Sequence, residues 1–244
     1  MIRFQRQANW SALAASLVLA SLTACFNAPH GGSSDGPRYG SGNVKANDQG
    51  GDTVNGTVRV PDGQRTGDVA TVNGSIMVGD NAAVANAETN NGSISLGSRS
   101  TANSLSTVNG SISLEDGARV SQAVQAVNGS LTLHRGADVG GSLGNINGAI
   151  NLSAAHVGGR ITTANGDITI EAGSRVDGGI LVEKPEAGWF HFTSEPRIVI
   201  GPGSVVTGEL RFDRKVELYV SDKATIGPVI GATPLRYPGE GPIG

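Results

Sequence analysis

The 244-residue chain has one cysteine, 4% aromatic residues and only 16% charged residues. A single cysteine excludes a disulfide-stabilised scaffold and a zinc site built from several cysteines. The formal net charge of −3, without a basic cluster, argues against a nucleic-acid-binding protein. With so few aromatic residues and 37 glycines, the composition favours a thin, regular structure over a large globular core.

The one long apolar run lies near the N-terminus. Residues 11–21 read SALAASLVLAS, which is too short for a membrane-spanning helix and typical of a signal-peptide core. The run leads into LTAC at residues 22–25, which resembles the lipobox of bacterial lipoproteins. This resemblance implies that residues 1–24 are a lipoprotein signal peptide and that Cys25 carries the lipid, with palmitate among its acyl chains. An ordinary secretory signal with an incidental cysteine is the alternative.

The lipobox resemblance also implies a location. Lipoproteins kept in the inner membrane often carry aspartate after the lipidated cysteine, and here that residue is Phe26. We therefore expect an outer-membrane protein, lipid-anchored on the periplasmic or the cell-surface face, whose membrane partner is reached through Cys25. Residues 25–52 are rich in glycine and serine and have no hydrophobic period, which predicts a flexible tether.

The middle of the chain is a repeat. An Asn-Gly pair recurs seven times at intervals of 18 or 19 residues, and two aliphatic residues spaced by two follow each pair. A spacing of two is the period of a β-strand, and a Gly-x-x-Val motif and a further apolar position add two more short strands in several repeats. The asparagines of the pairs are Asn55, Asn73, Asn91, Asn109, Asn128, Asn147 and Asn165.

The repeat length predicts the fold class. One copy cannot bury its own aliphatic face, but stacked copies can, with like positions about 4.8 Å apart. We therefore predict an all-β fold, a single-stranded parallel β-solenoid (β-helix) of about 18–19 residues per coil, with right-handed winding favoured. Glycine accepts a positive φ at coil corners and stacked asparagines can hydrogen-bond, so we interpret the pairs as structural corners. A row of ligand-binding asparagines is the alternative.

The repeat continues beyond the last Asn-Gly pair. The motif GSRVDGGI at residues 173–180 returns as GSVVTGEL at 203–210, which is 30 residues later and not 18 or 19. The predicted solenoid therefore covers residues 53–231, with an insertion at about 183–197. Residues 232–244 are predicted to be a C-terminal tail.

The insertion contains a group of large aromatic side chains, namely Trp189, Phe190, His191 and Phe192. Exposed aromatic side chains can stack on sugars or dock on proteins, so the insertion is a candidate binding protrusion. Solenoids also need covers that block edge-to-edge pairing, so the alternative is a loop that folds over an open edge.

The repeat carries little catalytic chemistry. The outward positions after the Asn-Gly pairs are mostly serine and threonine, whereas general acid–base catalysis needs a positioned titratable pair. His134 and His156 are 22 residues apart, which is not one coil, so they do not predict a metal site. We therefore predict no catalytic residue, no metal and no cofactor. A polysaccharide-acting β-helix enzyme and a polar face that binds ice or glycan are the less favoured alternatives.

Two parts of the chain resemble known families. The VNGSIxL units from about residue 53 to 182 resemble the bacterial adhesin β-solenoid lipoprotein family, which has similar G-x-I-x-[LV] repeats. Residues 198–230, with GPGSVVTGEL and ATIGPV, are similar to polymer-forming, bactofilin-like proteins. The first resemblance implies a non-catalytic, lipid-anchored envelope adhesin or binding scaffold whose ligand is a glycan, a surface or a protein. The second implies a structural protein that self-associates through its solenoid ends.

Overall fold

The computed structural model describes residues 44–46, 50–171, 173–184 and 195–239. Within these residues the chain has no helix and forms three parallel sheets, which build a β-solenoid of about ten coils with about 18 residues each. The predicted fold class is confirmed. Several predicted features lie outside the described residues, namely the signal peptide (1–24), the lipidated Cys25 and the aromatic residues Trp189, Phe190, His191 and Phe192.

The first sheet contains the strands that follow the Asn-Gly pairs. Their two aliphatic side chains are buried and the residue between them faces outward, as in Val58–Val60 and Ile76–Val78. The eleven strands are β1 Val44–Lys45, β3 Val58–Val60, β6 Ile76–Val78, β9 Ile94–Leu96, β12 Ile112–Leu114, β15 Leu131–Leu133, β18 Ile150–Ser153, β21 Ile168–Glu171, β24 Arg197–Ile200, β27 Glu217–Ser221 and β30 Leu235–Tyr237.

The second sheet contains the strands that lead into the Asn-Gly corners, and its first six strands end at the asparagine of the pair. Each strand pairs in parallel with the strand one coil away. The ten strands are β2 Gly51–Asn55, β5 Val69–Asn73, β8 Asn86–Asn91, β11 Ser104–Asn109, β14 Val124–Asn128, β17 Leu143–Asn147, β20 Ile161–Thr163, β23 Ile180–Val182, β26 Leu210–Phe212 and β29 Val229–Ile230.

The third sheet is made of two-residue strands. In its seven central strands the second residue is buried and the first lies on the outer face. The nine strands are β4 Arg65–Thr66, β7 Ala83–Val84, β10 Thr101–Ala102, β13 Arg119–Val120, β16 Asp138–Val139, β19 His156–Val157, β22 Arg175–Val176, β25 Val205–Val206 and β28 Thr225–Ile226.

The core consists of aliphatic ladders, because a parallel stack places the same position of successive coils next to each other. Leu131, for example, is fully buried and pairs with Ile112 on one side and Ile150 on the other. Burying one such side chain stabilises the fold by about 1.5–3 kcal/mol. The third apolar position of the repeat forms a second ladder, which contains Leu105, Val124, Leu143, Ile161, Ile180 and Leu210.

The stack extends beyond the expected bounds of 53–231. At one end β1 pairs with β3 and β2 with β5, and at the other end β30 pairs with β27. Parts of the segments expected to be a tether (25–52) and a tail (232–244) are therefore strands of the solenoid. Their sequences lack the repeated aliphatic pairs, and the strands form because backbone hydrogen bonds to a neighbouring coil accept almost any side chain.

The 30-residue spacing between the two copies of the motif is also the spacing of paired strands. Ile168 pairs with Ile198, and Arg175 pairs with Val205, both at a separation of 30 residues. The residues beyond one ordinary coil fall between the end of β23 at Val182 and the start of β24. A longer connection is therefore accommodated at this corner while the three ladders continue in register. In the described part of the chain, no helix is long and apolar enough to cross a membrane.

Candidate functional site

The asparagines of the Asn-Gly pairs form one continuous hydrogen-bond ladder. Asn109 donates from Nδ2 to Oδ1 of Asn91 (2.9 Å) and accepts at Oδ1 from Nδ2 of Asn128 (2.9 Å). All seven asparagines are joined in this way, and the ladder ends where Arg214 donates to Oδ1 of Asn165. Since these side chains are engaged with each other, the ladder favours the structural interpretation of the corners over a ligand-binding row.

The glycines of the pairs are needed for a different reason from the one expected. Only Gly56, Gly129 and Gly148 of the seven have a positive φ. At Gly110 a Cβ atom would lie 2.0 Å from the carbonyl oxygen of Gly92 in the neighbouring coil, a separation that no real Cβ contact reaches. Glycine is therefore required here because the backbones of stacked coils approach closely, in addition to the positive φ that some of the corners adopt.

A row of buried threonines supports the same corners from inside, and the repeat pattern did not single it out. Thr107 donates from Oγ1 to the carbonyl oxygen of Gly92 (3.0 Å), and Thr89 does the same to Gly74 (2.9 Å). In a later coil Asn145 takes the position and donates to two glycine carbonyls. The available signal was a polar residue two positions before six of the seven Asn-Gly pairs, with Ala126 as the exception.

The outer face of the first sheet is the polar strip that the sequence predicts. Its half-exposed row runs through Ser95, Ser113, Thr132, Asn151 and Thr169, paired one coil apart. Small hydroxyl side chains dominate this row.

The outer face of the third sheet carries more chemistry, because its parallel register aligns the first residue of each two-residue strand. This produces one outward row along the solenoid, which reads Arg65, Ala83, Thr101, Arg119, Asp138, His156 and Arg175. Charged residues that are 18 or 19 positions apart in sequence thus become neighbours.

At one end of this row His156 lies between two carboxylates. Its Nδ1 is 2.6 Å from Oδ1 of Asp138 and its Nε2 is 3.0 Å from Oδ2 of Asp177, while Arg175 pairs with the other oxygen of Asp177 at 2.8 Å. Hydrogen bonds to Asp177 and Asp138 raise the pKa of His156. The bond to His156 in turn lowers the pKa of Asp177. Both ring nitrogens face acceptors, so the arrangement favours the imidazolium form.

The spacing of His134 and His156 gives no indication of this cluster. The partners of His156 are aspartates on neighbouring coils and not a second histidine. Asp138 is the third residue of the motif GADV, and His156 occupies the same place in AAHV. Alignment of these two four-residue segments on their shared valine could therefore have placed the two side chains together. Asp177 lies 21 residues from His156, which no simple coil spacing predicts.

We expect the His156 cluster to make stability depend on pH. Because the pKa of His156 is raised above about 6.5, its contribution is fully present below that pH and is lost as the pH rises through the raised pKa. Because the pKa of Asp177 is lowered from 3.8, its contribution is present above that pH and is lost as the pH falls through the lowered pKa. The contribution is therefore largest between about pH 4 and 6.5.

Urea unfolding of wild type and His156→Gln at pH 5.5 and 8.5 measures this effect. The side chains of His156 and Asp138 are each 40% exposed, so we expect a difference of about 1 kcal/mol or less at pH 5.5 and a smaller one at pH 8.5. In an Asp177→Asn background, His156→Gln should lower the free energy of unfolding by less than it does in the wild type. An equal loss of unfolding free energy at both pH values would show that the charge of the imidazolium does not contribute to stability.

A groove lies on the same outer face, next to the His156 cluster. It has a volume of about 560 Å³ and crosses the strands from β4 to β16. Small side chains such as Ala83 and Ala102 line it, and its polar and charged lining includes Arg65, Thr101, Asn103, Arg119, Ser121 and Asp138. The groove is open and shallow, and an extended molecule could lie along it.

Comparison with known proteins finds no matching model of a protein family, no matching curated protein and no matching solved structure. Within the described ranges, no group of three or more histidine, cysteine, aspartate or glutamate side chains is placed to hold a metal ion. The fold defines the chain as a parallel β-solenoid protein. The outer face of its third sheet is the candidate functional surface.

Proposed function

We propose that the protein is a non-catalytic binding scaffold of the cell envelope, of the adhesin type, anchored through a lipid on Cys25. The observation that carries the proposal is the groove on the outer face of the third sheet, where the lining combines small side chains with Arg65 and Arg119. Binding sites are concave and hold a few placed polar groups, and a repetitive solenoid presents such groups at fixed intervals.

The geometry of the titratable groups next to the groove supports binding over catalysis. His156 has one ring nitrogen at Asp138 and the other at Asp177, so neither nitrogen is free to accept a proton from a substrate. A general base must lie within hydrogen-bond reach of the proton that it removes, and here both positions are occupied by carboxylates of the protein.

The anchoring part of the proposal rests on the sequence. Residues 22–25 (LTAC) resemble a lipobox, and the only cysteine of the chain stands at the position that would be lipidated. Phe26 favours the outer membrane, with the solenoid on its periplasmic or cell-surface side. Several acyl chains on one residue would anchor stably, since each buried methylene contributes about 0.8 kcal/mol.

A second candidate function, end-to-end polymerisation, has its own supporting observation. Ile230 and Leu235 are 49% and 53% exposed, and they lie in β29 and β30, the last described strands of their sheets. A terminal strand has unpaired backbone groups on one side, and exposed apolar residues beside it favour association with another coil. This candidate is a bactofilin-like structural protein of the envelope.

Labelling cells with an alkyne analogue of palmitate tests the anchor. We expect label on the wild type and sedimentation with membranes, and we expect both to be lost in Cys25→Ser.

Electron microscopy of the detergent-purified protein separates the two candidate functions, because single particles support the scaffold and filaments support the polymer. Far-UV circular dichroism of the Cys25→Ser variant is the control, since the solenoid should be unchanged.

Two results would contradict the proposal. Equal labelling and membrane association of the Cys25→Ser variant would remove the lipid anchor. Failure of the purified wild type to co-sediment with any delipidated envelope fraction, in which the acyl chains find no membrane, would remove the binding function. Protease digestion of intact and lysed cells then places the solenoid outside or inside the outer membrane.

A further inference from the structure

Two arginines of the groove have no partner among the described residues. Arg65 and Arg119 lie on the same outward row with Ala83 and Thr101 between them, so they are three coils, or about 14 Å, apart. Neither guanidinium forms an ion pair or a side-chain hydrogen bond within the described chain. Arg175, further along the same row, is by contrast paired with Asp177.

The groove is therefore cationic on a chain that is acidic as a whole. The formal net charge of the chain is −3. The lining of the groove holds two arginines and one carboxylate, Asp138, and that carboxylate is already hydrogen-bonded to His156 (2.6 Å). A guanidinium presents a planar set of donors that matches a carboxylate or a phosphate or sulfate group.

Between the arginines, the groove is lined by small side chains and by polar side chains. Ala83 and Ala85 are too small to obstruct a chain that lies along the solenoid axis. Thr101, Asn103 and Ser121 add hydroxyl and amide groups, which can both donate and accept hydrogen bonds. These groups complement the hydroxyls of a sugar.

We propose that the groove between Arg65 and Arg119 binds a linear acidic polysaccharide, whose anionic groups contact the two guanidinium groups and whose hydroxyls contact Thr101, Asn103 and Ser121. This inference rests on the proposed binding function and specifies the ligand class of the same surface.

Three other ligand classes match the groove less well. The described lining has no aromatic side chain, so a single-stranded nucleic acid would find no stacking platform. Two arginines are fewer than the four to eight basic residues that attract proteins to anionic lipid surfaces. An extended peptide adds to the edge of a sheet, whereas the groove lies on a face whose backbone groups are already used in the ladder.

Polygalacturonate and neutral dextran of similar length are suitable probes for the purified full chain. We expect polygalacturonate to bind and dextran to bind at least about tenfold more weakly, since each charge-assisted contact contributes about one power of ten in affinity. The affinity should fall with added salt. The double variant Arg65→Gln/Arg119→Gln should lose at least about tenfold in polygalacturonate affinity.

Arg59→Gln is the matched control. Arg59 is an exposed arginine of β3 on the first sheet, so its loss removes one positive charge from a different face, as Arg119→Gln alone does from the groove, and should leave the affinity unchanged. Far-UV circular dichroism and urea unfolding establish that the double variant keeps the solenoid. Arg119→Lys should retain part of the affinity, because the charge remains while the planar set of donors is lost.

The inference is overturned if the double variant binds polygalacturonate as tightly as the wild type, or if dextran binds equally well. It is also overturned if polygalacturonate does not bind while DNA or vesicles with anionic lipid do. In each case the binding scaffold itself still stands if the wild type co-sediments with a delipidated envelope fraction. Absence of co-sedimentation would instead contradict the proposed function.

Discussion

Replacing Gly110 with alanine is expected to destabilise the solenoid by about 3 kcal/mol or more, because the new methyl group has no space between two backbones. Its Cβ would lie 2.0 Å from the carbonyl oxygen and 2.5 Å from the carbonyl carbon of Gly92. The backbone cannot turn away freely, since the Gly110 amide donates to the carbonyl oxygen of Asn128 in the next coil. The two coils would have to separate, and the asparagine ladder passes through the same corner.

Gly117→Ala is the control for this substitution. Gly117 has a φ of +71°, and a Cβ there would meet nothing closer than Cγ of Arg99 at 3.5 Å. Other coils hold a non-glycine residue in the same left-handed conformation, namely Asn81, Arg99 and Ala154. Alanine should therefore cost only about 1–2 kcal/mol at this position. Urea unfolding followed by far-UV circular dichroism measures both variants, and equal costs would refute the argument from stacked backbones.

Leu131→Ala is the second substitution with a large expected effect. Leu131 is fully buried in β15, between Ile112 and Ile150 of the flanking coils. Truncation of a buried leucine removes its transfer free energy and leaves a cavity, and together these effects cost about 2–5 kcal/mol. A solenoid is stabilised mainly by contacts between nearest neighbours, so a defect in a central coil also weakens the coupling between the two halves.

The same substitution at Leu235 gives the comparison. Leu235 is 53% exposed in β30, the last described strand of the first sheet, and has one neighbouring coil among the described residues. Leu235→Ala should change the free energy of unfolding by less than about 0.5 kcal/mol. If the two leucine variants had similar midpoints in urea, burial between two coils would not be the source of stability.

Most of the fold could be predicted from the sequence, because the repeat spacing carries the register. Asn91 and Asn109 are 18 residues apart and Asn109 and Asn128 are 19 apart, and a parallel stack places such residues side by side. The same spacing predicts the ladder to which Ile112 and Leu131 belong. Where the repeats become irregular, as in residues 44–46, 50–52 and 232–239, backbone pairing continues without a side-chain pattern that would reveal it.

The candidate surface was less predictable. One position of the repeat, directly before the buried valine, is occupied by Arg119, Asp138 and His156 in successive coils. The repeat is defined by its recurring small and aliphatic residues, so a position whose residue varies does not contribute to the pattern. A groove is a property of the surface as a whole, since it depends on small residues such as Ala83 lying between long side chains of other coils.

The sequence by itself determined the coil length, the inward aliphatic ladders and the asparagine ladder, because each of these depends only on like positions one coil apart. The tertiary structure alone decided the contacts between unlike positions. His156 meets Asp177 at a separation of 21 residues, and Arg214 reaches Asn165 at a separation of 49. These contacts depend on how each turn directs the chain and on where an insertion enlarges a coil, and side-chain periodicity carries no information about either.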